Sequence, residues 1–244
     1  MDKTVKYIIG IDEVGRGPIA GPVAVCAFVC AIMNYELIIK NAKEELKIPL
    51  RDSKKLSKKQ REIWFEYLKV AKTEGKCSYE VSFVSSDNID KFGIAKCIQK
   101  ALNECLYKII SQDYSNSSRF TLKGSDAIQN LNNLASYKLK GSDTDKNLED
   151  SISLASFQIF LDGGLHAPAE YINQETIIRG DELHPIISLA SIIAKVSRDR
   201  VMNNYSKKYP EYGFDHHAGY GTKAHYEAIK KHGQTPIHRK TFIH

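Results

Sequence analysis

Val5-Lys6-Tyr7-Ile8-Ile9-Gly10-Ile11-Asp12-Glu13-Val14-Gly15-Arg16-Gly17-Pro18-Ile19-Ala20-Gly21-Pro22 is the stretch whose reading decides the fold. Val5 to Ile11 is apolar and rich in β-branched residues, and it stops at two adjacent acids, Asp12 and Glu13. The glycines and prolines from Gly15 to Pro22 predict a loop, after which Val23 to Met33 resumes as an apolar run. Two strands joined by a Gly-rich loop are therefore expected. Neighbouring strand residues face opposite sides, so Asp12 and Glu13 can reach one site only where the strand breaks into the loop. An Asp-Glu pair alone is more often a solvated strand end than a site.

Further along the chain, the same arrangement recurs. Ala155 to Leu161 reads as a strand ending at Asp162-Gly163-Gly164, and Thr176 to Arg179 as a short one ending at Gly180-Asp181. Acids at strand ends before Gly-rich turns are placed to converge on one edge of a sheet. Converging carboxylates repel one another and raise each other's pKa values. A hard divalent cation relieves that repulsion, and Mg²⁺ accepts oxygen ligands while keeping several waters. Such a centre suits phosphodiester hydrolysis, in which metals activate water and stabilise the leaving oxygen.

Between these strands the pattern alternates with helices. Ser57 and Gln60 form a capping-box pattern ahead of Ile63, Trp64, Tyr67, Leu68 and Ala71, which predicts an amphipathic helix. Cys77 to Val84 alternates as a third strand, and Ile94 to Ile110 has helical period. A long helix is expected from Pro185 to about Tyr205, with proline in its tolerant first turn, and Thr222 caps a last helix that Gly233 ends. Residues 111–153 are rich in Ser, Asn, Asp and Lys and repeat Lys-Gly-Ser-Asp at Lys123 and Lys140; they read as a surface insertion. The expected architecture is α/β, a mixed central sheet flanked by helices with a C-terminal helical segment over about 205–244, in one domain spanning 1–244.

Composition narrows the class of partner. With 42% hydrophobic and 26% charged residues the chain reads as globular, and no apolar run is long enough to span a bilayer. The N-terminus has no basic-then-apolar leader pattern, so a cytoplasmic protein with no membrane role is expected. Five cysteines without metal-ligand spacing argue for free thiols in a reducing compartment, with Cys26 and Cys30 on one face of their strand. The net charge of +6 suits a polyanionic partner, and basic residues gather around Lys54, Lys55, Lys58, Lys59 and Arg61 and around Lys230, Lys231, Arg239 and Lys240.

Gly10-Ile11-Asp12-Glu13-Val14-Gly15-Arg16-Gly17-Pro18 resembles the opening motif of ribonuclease HII, the type 2 ribonucleases H. The resemblance continues through Asp52-Ser53-Lys54-Lys55-Leu56, Leu161-Asp162-Gly163, Gly180-Asp181, Ser191 to Asp199 and Gly219-Tyr220-Gly221-Thr222, and covers nearly all the chain except 111–153. It implies a ribonuclease H-like fold and a four-acid site of Asp12, Glu13, Asp162 and Asp181, holding Mn²⁺ or Mg²⁺ in a two-metal arrangement. It implies that Gly15, Arg16 and Gly17 recognise ribose, where glycines let the backbone approach a 2′-hydroxyl. Tyr220 would pack on the sugar at the cut, and Ser53, Lys54 and Lys55 would hold backbone phosphates. Asp199 is expected in a structural salt bridge, Asp52 as a capping acid and His184 as structural; Lys195 fits either the substrate groove or the helix face.

The implied activity is a monomeric endonuclease that cuts the RNA strand of RNA/DNA hybrids and cuts duplex DNA 5′ of embedded ribonucleotides, leaving 3′-hydroxyl and 5′-phosphate ends. Two rivals stand beside it. A type 3 ribonuclease H shares the catalytic domain but carries an N-terminal substrate-binding domain, whereas here the acid-bearing strand begins within about ten residues of the start. A non-catalytic nucleic-acid-binding module on the same fold would have lost one or more acids, and all four are present. Arg179 and Glu182 depart from the family pattern beside the site, where lysine and a small polar residue are usual.

Overall fold

The computed structural model describes residues 5–115, 154 and 156–243. Its centre is a five-stranded mixed sheet formed by β1 (Tyr7–Val14), β2 (Val23–Ala31), β3 (Cys77–Val84), β4 (Phe157–Asp162) and β5 (Gln174–Ile177), in the order β3-β2-β1-β4-β5. The first three strands pair antiparallel as a meander, while β4 and β5 join β1 in parallel. Parallel pairing places the C-terminal ends of β1, β4 and β5 on the same side of the sheet, and these ends lead into the acids.

Alternation along β1 and β2 sorts two cores. Ile9, Ile11, Val25, Ala27 and Val29 face α4 (Ile94–Ser115), which covers one side of the sheet. Ile8, Cys26, Phe28 and Cys30 face the other side, packed by α1 (Ile32–Leu46), α2 (Lys58–Thr73) and α6 (Pro185–Lys208). All five cysteines are buried and unpaired. The helix α6 lies almost on the sheet because β1 carries Gly10: a Cβ there would overlap the carbonyl of Ile186. Ser188, Ala190, Ser191 and Ala194 keep the helix side of that contact small. A third cluster of Ala20, Met202, Tyr212, Phe214 and Ile237 ties the end of α6 to α7 (Phe214–His217), α8 (Lys223–His232) and the Gly-rich loop.

Several expectations meet their element with the stated chemistry. The Ser57 hydroxyl accepts the Gln60 N–H and the Gln60 side chain accepts the Ser57 N–H at the start of α2, while Thr222 caps α8 and Gly233 ends it. Others need correction. The apolar run of Val23 to Met33 is not all strand: β2 ends at Ala31, and Ile32 opens α1, which buries Ile38 and Ala42 against the sheet. A short helix, α3 (Ser86–Phe92), capped by Ser85, precedes α4. Residues 111–115 of the expected insertion continue α4; the remainder, with both Lys-Gly-Ser-Asp repeats, lies outside the described residues. No helix among the described residues is long and apolar enough to cross a membrane.

Candidate active site

Asp12 and Glu13 do not sit in a loop. β1 continues to Val14, with Asp12 opposite Cys26 and Glu13 opposite Val25 on β2. On its other edge the ladder with β4 ends at the pair Ile11–Leu161, so beyond that pair β1 has an open side. Asp12 turns back on the chain and accepts the Glu13 N–H at 2.7 Å, and the longer Glu13 side chain reaches the same space. One carboxylate oxygen each from Asp12, Glu13 and Asp162 lies within 4.8 Å of the others. The expected break in the strand is thus unnecessary: an open strand edge and one extra methylene bring two adjacent acids together.

Asp181 stands beside this cluster at the start of α5 (Gly180–Leu183). Its backbone N–H donates to Asp162 Oδ1 at 3.3 Å, and its carboxylate accepts the Lys54 ammonium at 3.0 Å. A Cβ on Gly180 would meet the Ile187 side-chain end and come within 3.3 Å of Asp162 Oδ1, so glycine eases this approach. Burial pushes the Asp12 carboxyl well above the usual carboxylate range; the Ser191 hydroxyl opposes this, and the charges of Glu13, Asp162 and Asp181 add to it. Burial also raises Glu13, against the neighbouring Arg16, and raises Asp162, where Asp181 adds further repulsion. Four acids thus share a small, partly dry space whose negative charge, among the described residues, Lys54 and Arg16 offset directly. A divalent cation fits this donor set by charge and by ligand type.

The surrounding residues divide by exposure. Arg16 is exposed and donates to Glu13 at 3.2 Å. Gly15 has φ of 90° and a Cβ on it would overlap the Arg198 guanidinium, so only glycine fits. A Cβ on Gly17 would come 3.8 Å from the ring of Tyr220, which is 47% exposed across the loop. Lys54 and Lys55 are exposed; Lys55 pairs with Glu182 at 2.7 Å, and Arg179 pairs with the same carboxylate at 2.8 Å. The acid beside the site is therefore neutralised by two cations. Ser53 does not reach the surface: it is buried and its hydroxyl bonds that of Ser191 at 2.8 Å.

Asp199 is in a salt bridge, with Lys195 and Arg61 as partners and not its sequence neighbours Arg198 and Arg200; this also turns Lys195 along its own helix. Asp52 caps the turn of Ser53–Lys55 by accepting the Lys54 N–H, and the His184 ring stacks on Phe160. Two arginines have a role here that the sequence did not show. Arg198 and Arg239 are wholly buried, and their guanidiniums donate only to carbonyls: Arg198 to Pro22, Ala20 and Ala218, Arg239 to Gly15, Arg16 and Gly21. They fasten the Gly-rich loop from behind. Burial lowers the pKa of Arg198 to about 10 and that of Arg239 to about 9. Arg239 was expected in a surface basic group, and nothing in its local sequence distinguishes it from Lys240.

A mixed sheet with carboxylates gathered at the ends of its central parallel strands defines a ribonuclease H-type nuclease. The family model described as ribonuclease HII matches residues 9–134 and 130–244. The chain belongs to the ribonuclease HII family, and it is a ribonuclease H endonuclease of a metal-dependent class. It is 36% identical to ribonuclease HII of Clostridioides difficile over 247 residues, covering 99% of this chain and 72% of the relative. With ribonuclease HII of Acholeplasma laidlawii it shares 33% identity over 242 residues, covering 99% of this chain and 89% of the other. The fold is similar to that of ribonuclease HII in the PCNA complex from Archaeoglobus fulgidus, at TM-score 0.58 and 23% identity over 98% of this chain and 96% of that one. It is also similar to Bst ribonuclease HIII in complex with Mn²⁺, at TM-score 0.59 and 14% identity over 98% of this chain and 68% of that one.

Proposed function

We propose that this endonuclease cuts the RNA strand of RNA/DNA hybrids and cuts duplex DNA on the 5′ side of an embedded ribonucleotide, leaving 3′-hydroxyl and 5′-phosphate ends. The observation that carries the proposal is the meeting of two features. The oxygens of Asp12, Glu13 and Asp162 lie within 4.8 Å of one another, and the Gly15-Arg16-Gly17 loop that directly follows β1 faces the exposed ring of Tyr220. The first feature is a cleavage centre; the second is a shape able to test for a sugar hydroxyl.

Asp12, Glu13 and Asp162 hold Mg²⁺ or Mn²⁺ in this reading, with Asp181 completing the set. A divalent cation there supplies the acidity that activates a water and the charge that stabilises the leaving oxygen, in a one- or two-metal arrangement. The residues of the chain do the rest. Lys54 neutralises Asp181 at 3.0 Å, which keeps the four acids from forcing one another apart. Arg239 and Arg198 draw the loop carbonyls inward, so the opposite face of the backbone at Gly15 and Gly17 is free to approach the ribose. Tyr220 packs on the sugar next to the scissile bond. Lys54, bonded to Asp181, and Lys55 beside it are exposed and contact phosphates, which position the duplex without reading its sequence. Ser53 supports them through Ser191 and takes no phosphate through its buried hydroxyl.

The test is cleavage of a DNA duplex carrying one ribonucleotide, with the ends mapped, in Mg²⁺ and in Mn²⁺. A cut on the 5′ side of the ribonucleotide that vanishes in an Asp12→Asn, Asp162→Asn double variant is expected. Absence of a cut with either metal, or full activity in the double variant, overturns the reading. A strong preference for long hybrids over the single ribonucleotide assigns type 3-like behaviour instead.

A further inference from the structure

Behind Tyr220 lies a chain of histidines whose protons the hydrogen bonds assign one after another. His225 Nδ1 is 2.8 Å from the Tyr220 carbonyl, and a carbonyl only accepts, so the proton is on Nδ1 and Nε2 holds a lone pair. His238 Nδ1 is 2.8 Å from the backbone N–H of Thr235, which only donates, so its proton is on Nε2. The two Nε2 atoms face each other at 3.1 Å, and these separate assignments meet there as one donor and one acceptor. His217 completes the group: it accepts the Gly219 N–H at 3.2 Å and donates to the Tyr212 carbonyl at 2.8 Å, with its ring stacked on His225. Each ring nitrogen of the three thus has a partner that fits a donor or an acceptor role.

A further proton must displace one of these bonds. On His225 Nε2 it would point one N–H at another across 3.1 Å, and on His238 Nδ1 it would expel the Thr235 N–H and turn to the Thr235 hydroxyl at 2.9 Å or carbonyl at 3.3 Å. Among the described residues no carboxylate is bonded to the three rings. Phe214 and Tyr212 pack on the rings, and Thr235 faces His238. Arg198 binds the carbonyl of Ala218 and Arg239 follows His238, and both disfavour added positive charge. Asp215, at the exposed start of α7, is bound to Ser206 and His216.

We propose that His217, His225 and His238 are positioning residues that hold the turn of Gly219, Tyr220 and Gly221 in its substrate-gripping shape, and that acid releases this turn. The proposal rests on the reading of Tyr220 as a substrate contact. Burial lowers the pKa of His225 from 6.5 to about 4 and also lowers that of His238, so the latch holds above 6.5 and loosens as the pH falls towards 4. Tyr220 reports the event to the substrate, while Asp12, Glu13 and Asp162 on the sheet take no part in it.

Nitrogen NMR of the full chain decides the first half. At pH 7.5 the long-range ¹H–¹⁵N spectrum is expected to show His225 protonated on Nδ1 and both His217 and His238 on Nε2; the opposite tautomer at any of them, or a charged ring, overturns the latch. On lowering the pH, the amides of Gly219 and Tyr220 are expected to shift with the rings while those of Ile9 and Val29, paired in the sheet away from the acids, stay. Binding of an RNA/DNA hybrid in EDTA decides the second half, because no cleavage or metal ligation enters. The advantage in affinity of the wild-type chain over Tyr220→Ala is expected to shrink by about twofold between pH 7.5 and 4, where half of His225 carries the extra proton. A ratio that does not change with pH overturns the proposal. The ring spectra stand whether or not the duplex is cut, so failure of the latch and failure of the cleavage reading are told apart.

Discussion

Asp12 is only 5% exposed and faces three other acids, so removing its charge acts in two directions. Asp12→Asn is expected to lower cleavage by more than ~100-fold, since loss of mere supporting groups around a metal already costs about 10–100-fold. In EDTA the same change is expected to raise the unfolding free energy at pH 7. Urea unfolding at pH 7 checks this. The sign follows from the raised pKa: the folded chain holds the proton more tightly, so this carboxyl adds stability at low pH and loses it as the pH rises through the folded value. The convergence of Asp12, Glu13 and Asp162 was legible in the sequence because each acid ends an apolar run before glycine. The burial of Ser53 and Arg239 was not, because neither residue type announces what it will meet across the chain.

At the scale of elements, local chemistry was most legible where the signal sits in a few consecutive residues. Ser57 with Gln60, and Thr222 with Gly233, mark helix ends through bonds made within the same turn. The boundary between β2 and α1 was illegible for the opposite reason: Ile32 and Met33 extend an apolar run, and only the sheet's end at Ala31 tells them to turn. The sharpest inter-element contact is that of α6 with β1. Because a Cβ on Gly10 would strike backbone, not a yielding side chain, Gly10→Ala is expected to destabilise the fold by about 1–3 kcal/mol. A shift in the urea midpoint at constant slope measures it. Activity should fall as well, since α6 carries Ser191, the hydroxyl bonded towards Asp12.

For the molecule as a whole, the net charge of +6 matters less than where the mobile cations stand. Arg61 and Arg239 are absorbed into the fold, leaving Lys54 and Lys55 at the edge of the acid cluster. If both touch phosphates, the Lys54→Met, Lys55→Met double variant should bind a hybrid with a salt dependence shallower by about 2 in logarithmic slope. Titrating affinity against salt in EDTA gives that number, and an unchanged slope would remove both lysines from the interface. Arg239→Met is expected to act differently. It leaves the carbonyls of Gly15, Arg16 and Gly21 unbonded, so discrimination between a ribonucleotide and an all-DNA duplex should fall while the salt slope stays. Comparing affinities for the two duplexes checks it.

Arg239 and Gly15 are separated by 224 positions. A ribosome makes this chain from its first strand onward, so the acids of the sheet and all of α6 exist before the clamp on the Gly-rich loop does. During that interval a nascent chain has Asp12, Glu13 and Asp162 but not the side chain that fastens the Gly-rich loop. The loop is fastened only once Arg239 has been made, and if it selects ribose as proposed, a chain stopped before that residue would hold the acids without the selection.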